Sequence, residues 1–359
     1  MTSFGRVAVI HDWLTGMRGG EQVLEGILQC VPGAEIFTLF HFRGSVSPLI
    51  ESHTIHTSSL QWLATKARDY RKLLPLFPRA ARSWDLSQFD TIVSSSHCVA
   101  KGVNARGKPH LSYCHTPMRY IWDRFDDYFP RSRPLRRAAA MSIAPWLRRW
   151  DVTTANEVTR FLANSRFVRD RIQRYYKRDA EVVHPYVDDA FLAPEIENAR
   201  GDYHVIVSAL VPYKKVDLAF ATGKKLVVIG GGPLFDELKR RGGPNVTMLG
   251  SVSRAEIIER LARAQSLILP GVEDFGIAPV EAMALGTPIV ALREGGVLDT
   301  LVEGVTGIFF DRPEVDSLRS ALDAVESREW DRPAIRAHAE KFSRARFDRE
   351  LRAQLQTLR

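Results

Sequence analysis

Short runs of β-branched and aliphatic residues alternate with amphipathic helical patterns along almost the whole chain, and nothing else in the sequence limits the fold so strongly. Strands separated by helices can pair in parallel, so the pattern points to an α/β architecture with helices covering both faces of each sheet. In the N-terminal half the spacing predicts strands at 6–12, 34–39, 91–96, 111–115 and 161–164, with helices at 20–31 and 167–176. Residues 180–187 then pass through His184-Pro185, where proline holds the preceding residue in extended or turn geometry, and the domain junction is expected there. In the C-terminal half strands are predicted at 204–210, 224–229, 246–249, 266–269 and 288–292. No repeat of solenoid period interrupts them. The expectation is two doubly wound, Rossmann-like domains, 1–185 and 186–339, facing across a cleft, with a helix at 340–359 packing back on the first. Ligands of such sheets bind beyond the carboxyl ends of the strands.

A length of 359 residues supports two full cores, and the apolar runs are far too short to span a bilayer. The first residues enter a strand-like run with no basic and apolar leader pattern, and three scattered cysteines, Cys30, Cys98 and Cys114, do not make a disulfide frame. A cytoplasmic location is therefore expected. The net charge of +8 is unevenly spread: residues 51–150 carry 17 Lys and Arg against 7 Asp and Glu, an excess larger than that of the whole chain. Nucleic acid, anionic lipid and phosphorylated substrates all suit such a region.

The densest chemical signal runs from Glu273 to Gly286. A buried strand ends, a turn holding Glu273, Phe275 and Gly276 follows, and a helix is predicted from Ile277 or Ala278 with Pro279 in its first turn. Unpaired amides and aligned dipoles at that helix start attract phosphate, and Gly276 permits close backbone approach. Glu281 sits about one turn further in, where a carboxylate can accept hydrogen bonds from two vicinal hydroxyls, as on a ribose. Glu273 can do the same for a second sugar. Either glutamate alone would read as a solvated residue; the pair fits a nucleotide diphosphate sugar lying across the helix end.

With Phe275-Gly276 and the run from Glu281 to Ala291, this segment resembles the E-x7-E motif of the retaining family 4 glycosyltransferases, whose fold is the two-domain GT-B. The resemblance extends to both halves and most of the chain. It implies a metal-independent hexosyltransferase with a nucleotide-sugar as co-substrate, no cofactor, and no bound metal. The segment from Ser208 to Leu218 resembles the family's first C-domain loop, which implies that Lys215 grips the diphosphate, with Lys214 beside it in the donor site. Ala209 stands where the family usually has arginine, which removes one positive charge expected near the leaving group, so either a neighbour such as Lys214 compensates or activity is low. Gly230, Gly250 and Val252 resemble the strand-end positions flanking the base, and Glu294-Gly295-Gly296 a loop near the active site.

In the N-terminal lobe, His11-Asp12-Trp13-Leu14 with Gly16, Gly19 and Gly20 joins the first strand to the first helix, which Glu21 enters. The resemblance puts this loop near the donor phosphates and the acceptor. It also matches His115 to a cleft histidine that contacts the transferred sugar or aids the acceptor; His97, after Ser94-Ser95-Ser96, reads as structural. Two basic stretches, 60–84 and 131–150, interleave cations with Trp62, Trp84, Trp146 and Trp150, a composition that suits an anionic lipid interface as well as ordinary solvated helices. Relatives acting on lipid-linked saccharides carry similar segments, so a peripheral position on the inner face of the cell membrane is expected. Nucleic acid is not an expected partner.

The runs from His11 to Glu21, Ser94 to Cys98 and Tyr113 to Asp123 resemble mannosyltransferases of bacterial surface-polysaccharide assembly, which makes GDP-mannose the first donor and a lipid-linked saccharide the first acceptor. A UDP-sugar enzyme, an epimerase or hydrolase on the same fold, and a binding module with a decayed donor site remain open alternatives. No D-x-D triplet occurs, so a metal clamp is not indicated, and neither first βα turn carries G-x-G-x-x-G, which disfavours a dinucleotide-binding dehydrogenase.

Overall fold

The computed structural model describes residues 4–64, 70–193 and 200–358. It divides into two compact units, Met1–His184 with Phe347–Arg359, and Pro185–Arg346. In the first unit β1 (Val7–His11), β2 (Glu35–Thr38), β3 (Ile55–Thr57), β4 (Thr91–Ser96), β5 (His110–Cys114), β6 (Arg160–Ala163) and β7 (Ala180–Val182) form one parallel sheet in the order β3-β2-β1-β4-β5-β6-β7. Its central strands β1, β4 and β5 are buried along their whole length, which is why they read as continuous apolar or small-residue runs. The connections reverse direction between β1 and β4, and at that switch point His11 lies beside Ser95.

The helix Gly19–Cys30 covers this sheet with Val23, Leu24, Ile27 and Leu28, spaced so that one face stays apolar. The helix Arg166–Tyr176 starts at Ser165, whose hydroxyl accepts from the Val168 amide. A longer helix, Pro134–Ala155, begins with proline in its first turn and was not resolved as an element by periodicity. Its inner end is fixed by a buried ion pair. Lys101 Nζ lies 2.7 Å from Asp151 Oδ1, while Tyr176 and Trp122 each donate to Asp151 Oδ2 at 2.9 Å. Such a pair persists in a core only with its remaining hydrogen-bond sites met in this way.

In the second unit β8 (His204–Val207), β9 (Leu226–Ile229), β10 (Val246–Gly250), β11 (Leu267–Leu269), β12 (Ile289–Leu292) and β13 (Gly307–Phe310) form a parallel sheet in the order β10-β9-β8-β11-β12-β13. The switch point falls between β8 and β11. Residues 347–358 belong to the first unit: Phe347 meets Tyr113, Arg352 donates to the carbonyls of Gln29 and Cys30, and Arg160 donates to Gln354 and Thr357. No helix of the described residues is long and apolar enough to cross a membrane.

Candidate functional site

The loops leaving β8 and β11 meet at the switch point of the second sheet. After β8 the chain makes a single 3-10 turn, Pro212–Lys214, which ends with Lys215 in the left-handed conformation at φ 49°. That turn buries Lys214 and leaves Lys215 exposed. The Lys214 ammonium pairs with the Glu273 carboxylate, so the cation in contact with the E-x7-E segment is Lys214 and not Lys215, the residue the resemblance selects. Gly271 makes this contact possible. A Cβ there would sit 2.6 Å from the Tyr213 carbonyl oxygen and 2.7 Å from Lys214 Cα, so any side chain would push the lysine turn away. Ala209, where arginine is expected, is exposed.

Glu273 is tied down by its main chain: its carbonyl accepts from the Gly296 amide at 2.8 Å, and it bridges to Gly295. Gly276 then caps the helix Ile277–Ala284, with Pro279 in the first turn. The Ile277 and Ala278 amides, as in any first helical turn, lie beyond the reach of an intrahelical acceptor. The Phe275 side chain is buried in the core against Phe342, so only its backbone is available to a ligand. Glu281 stands one turn into the helix. Burial lifts its carboxyl to about 7, with Arg254 pulling it down and Asp188, itself ion-paired to Arg254 at 2.5 Å, pushing it up.

The loops after β8, β9 and β10 interlock. The Gly230 amide donates to the Gly250 carbonyl at 2.8 Å, and Leu210 donates to Gly231 at 2.9 Å. Gly230 has φ 132°, and a Cβ on it would lie 1.9 Å from the Ser208 carbonyl oxygen, so glycine is required for the two strand ends to close up. Val252 packs partly buried against the core of the unit.

The first unit holds a second cluster at its own switch point. Ser95 Oγ is 3.1 Å from His11 Nδ1 and 2.8 Å from His115 Nε2, so His115 turns Nε2 inward. Burial, with His97 and His11 nearby, holds His115 well below the ordinary imidazole value. Gly20 lies over both rings, with its Cβ position 3.9 Å from each, while Gly19 is exposed. His97 is anchored through its amide and ring to Asp12. Asp12 itself, given no role by sequence reasoning, is fully buried and accepts four main-chain N–H bonds, from residues 97, 98, 99 and 100, at 2.7–2.9 Å. The signal that could have found it is an acidic residue directly after a buried strand.

Among the described residues no group of three or more His, Cys, Asp and Glu is arranged to hold a metal ion. Of the basic stretches, Lys66 and Arg68 lie outside the described residues, whereas Leu135, Met141 and Trp146 are exposed on the helix Pro134–Ala155 together with Arg133, Arg136 and Arg149 nearby or on it.

Each parallel-sheet unit thus gathers polar side chains at its own switch point, and in the second unit an open helix start lies beside them. Residues 37–191 match the model described as Glycosyltransferase Family 4, and residues 193–344 the model described as Glycosyl transferases group 1. The chain belongs to the family 4 type of GT-B glycosyltransferases.

It is 30% identical over 192 residues to the GDP-mannose-dependent alpha-(1-6)-phosphatidylinositol monomannoside mannosyltransferase of Mycolicibacterium smegmatis, a match covering 44% of this chain and 50% of that one. It is also 30% identical over 220 residues to the D-inositol 3-phosphate glycosyltransferase of Mycobacterium sp. (strain KMS), covering 52% and 50%. The chain thus spans about half the length of the curated relatives it matches. Among solved structures it is similar to HepE of Anabaena in complex with UDP, with a TM-score of 0.71 and 17% identity over 98% of this chain and 100% of that one. The lipopolysaccharide outer core galactosyltransferase WaaB is similar at a TM-score of 0.67 and 16% identity, over 98% and 99%.

Proposed function

We propose that this chain moves a hexose, mannose from GDP-mannose in the first instance, to a lipid-linked or oligosaccharide acceptor in surface-polysaccharide synthesis. The observation that carries the reading is the Lys214–Glu273 pair beside the open start of the helix Ile277–Ala284. A diphosphate at that point meets main-chain amides and one ammonium, and Glu273 remains to hold sugar hydroxyls. As the bond from the sugar to the phosphate oxygen breaks, negative charge grows on the departing nucleoside diphosphate, where Lys214 and the helix amides stabilise it. Attack by the acceptor hydroxyl from the same face, with its proton passing to the departing phosphate oxygen, retains the configuration, and no metal is required. The name of the mycobacterial mannosyltransferase supports mannose and a lipid acceptor.

A UDP-sugar donor is the second reading, supported by the UDP and UDP-glucose complexes of the Anabaena protein. The test is to incubate the purified chain with GDP- and UDP-sugars and lipid extract, with and without anionic vesicles. GDP-mannose should be consumed with product on the lipid, more so with vesicles, if the exposed Leu135, Met141 and Trp146 rest on the membrane. Release of free sugar alone, or no consumption of any donor, would overturn the reading.

Glu281 gives this reading a pH signature. Ribose hydroxyls donate to a carboxylate and so favour its charged form, and the free carboxyl titrates at about 7. Donor affinity is expected to rise as pH increases from 6 to 8, while Glu281→Gln flattens the profile. In the absence of donor the sign is opposite for stability: a raised carboxyl favours the fold at low pH, and its contribution is lost as pH rises through about 7. Calorimetric titration of the nucleotide at several pH values checks the first, and thermal unfolding across the same range the second.

A further inference from the structure

The first-unit cluster contains more order than a single ligand-facing histidine needs. Glu21, in the first turn of the helix Gly19–Cys30, places Oε1 3.7 Å from His11 Nε2, and the two side chains are 4% and 0% exposed. His11 Nε2 is buried with no hydrogen-bond partner of its own. The opposite ring nitrogen, Nδ1, meets Ser95 Oγ at 3.1 Å, and the same oxygen meets His115 Nε2 at 2.8 Å. Four groups, from one helix, two strands and the residue that follows β5, therefore form one buried line: carboxylate, imidazole, hydroxyl, imidazole.

A hydroxyl has one proton to give, so the line runs in one of two directions. Burial opposes ionisation of Glu21, yet a hydrogen bond from the His11 ring, the charge of that ring when it is protonated, and Arg18 outweigh it and hold the carboxyl below its ordinary value. With one ring proton, His11 keeps it on Nε2, because a bare Nε2 lone pair facing a buried carboxylate would be repelled. His11 Nδ1 is then an acceptor, Ser95 donates to it, and the Ser95 oxygen accepts the Nε2–H of His115.

We infer that Glu21, acting through His11 and Ser95, fixes the proton of His115 on Nε2 and leaves His115 Nδ1 as a bare acceptor. Glu21, His11 and Ser95 are positioning residues. Their use in transfer rests on the reading of His115 given above, since a bare Nδ1 suits a hydroxyl of the sugar or acceptor that donates its proton; the proton order itself rests only on the geometry.

The test is nitrogen NMR of the full chain with labelled histidine at pH 7.5, with His115 assigned by its loss in His115→Gln. The wild-type ring is expected to show a protonated Nε2 and an unprotonated Nδ1. Glu21→Gln and Ser95→Ala are each expected to convert it to a mixture or to the opposite tautomer. A wild-type His115 protonated on Nδ1, or a pattern unchanged in both variants, overturns the inference, and the wild-type spectrum decides even if a variant does not fold. The measurement needs neither donor nor acceptor, so its failure is separate from that of the transferase reading.

Discussion

Replacing Lys214 with alanine is expected to lower kcat about a thousandfold, the scale on which removing one preorganised stabiliser of developing charge acts. The fold should survive, because the side chain ends at Glu273 in a loop and not in the core. Lys215→Ala is expected to change kcat only a few fold, since that side chain is exposed beyond a left-handed turn. Single-turnover transfer assays on both variants check this. The reverse result, with Lys215 essential and Lys214 dispensable, would restore the sequence-based choice and remove the pair from the mechanism.

Asp12→Ala is expected to be the most destabilising single change in the first unit. Its carboxylate is the acceptor for four consecutive main-chain amides, and each buried donor left without a partner costs about 1–3 kcal/mol. A loss of roughly 4 kcal/mol corresponds to a fall in Tm of about 10 °C or more for a domain of this size. Asp12→Asn, which keeps one acceptor and the shape, should fall between. Hydrogen exchange gives the sharper check: amides 97–100 should lose protection in Asp12→Ala before the rest of the sheet does. Retained protection there would mean that the turn is held by other contacts.

The architecture was legible because parallel strands buried on both faces must be written as short apolar runs, as in β1 and β9. β3 and β13 escaped that reading: three and four residues long, partly exposed and at the sheet edges, they offer neither a continuous apolar run nor clean alternation. The helix after Gly276 could be read from Pro279 and the strand before it, since both act locally. Which of Lys214 and Lys215 lies against Glu273 could not, because it depends on a 3-10 turn that needs the space left by Gly271, more than fifty residues away in the chain. Ser94, Ser95 and Ser96 look alike in sequence. Their alternation sends Ser94 to His110, while Ser95 turns the other way to His11 and His115. The place of Asp12 after a buried strand marks it, but which amides it holds could not be read for the same reason, its partners lying 85 to 88 residues further along.

The tail from Phe347 onward has a practical meaning for anyone recombining halves of related enzymes to change their donor. The half that ends at His184 does not hold all of its own packing: Tyr113, Gln29, Cys30 and Arg160 receive their partners from residues after 346. A chimaera cut once, near Pro185, would therefore give the first parent's body the second parent's clasp. Two crossovers, with the last thirteen residues travelling alongside the opening half, keep each body with the sequence it evolved to fasten.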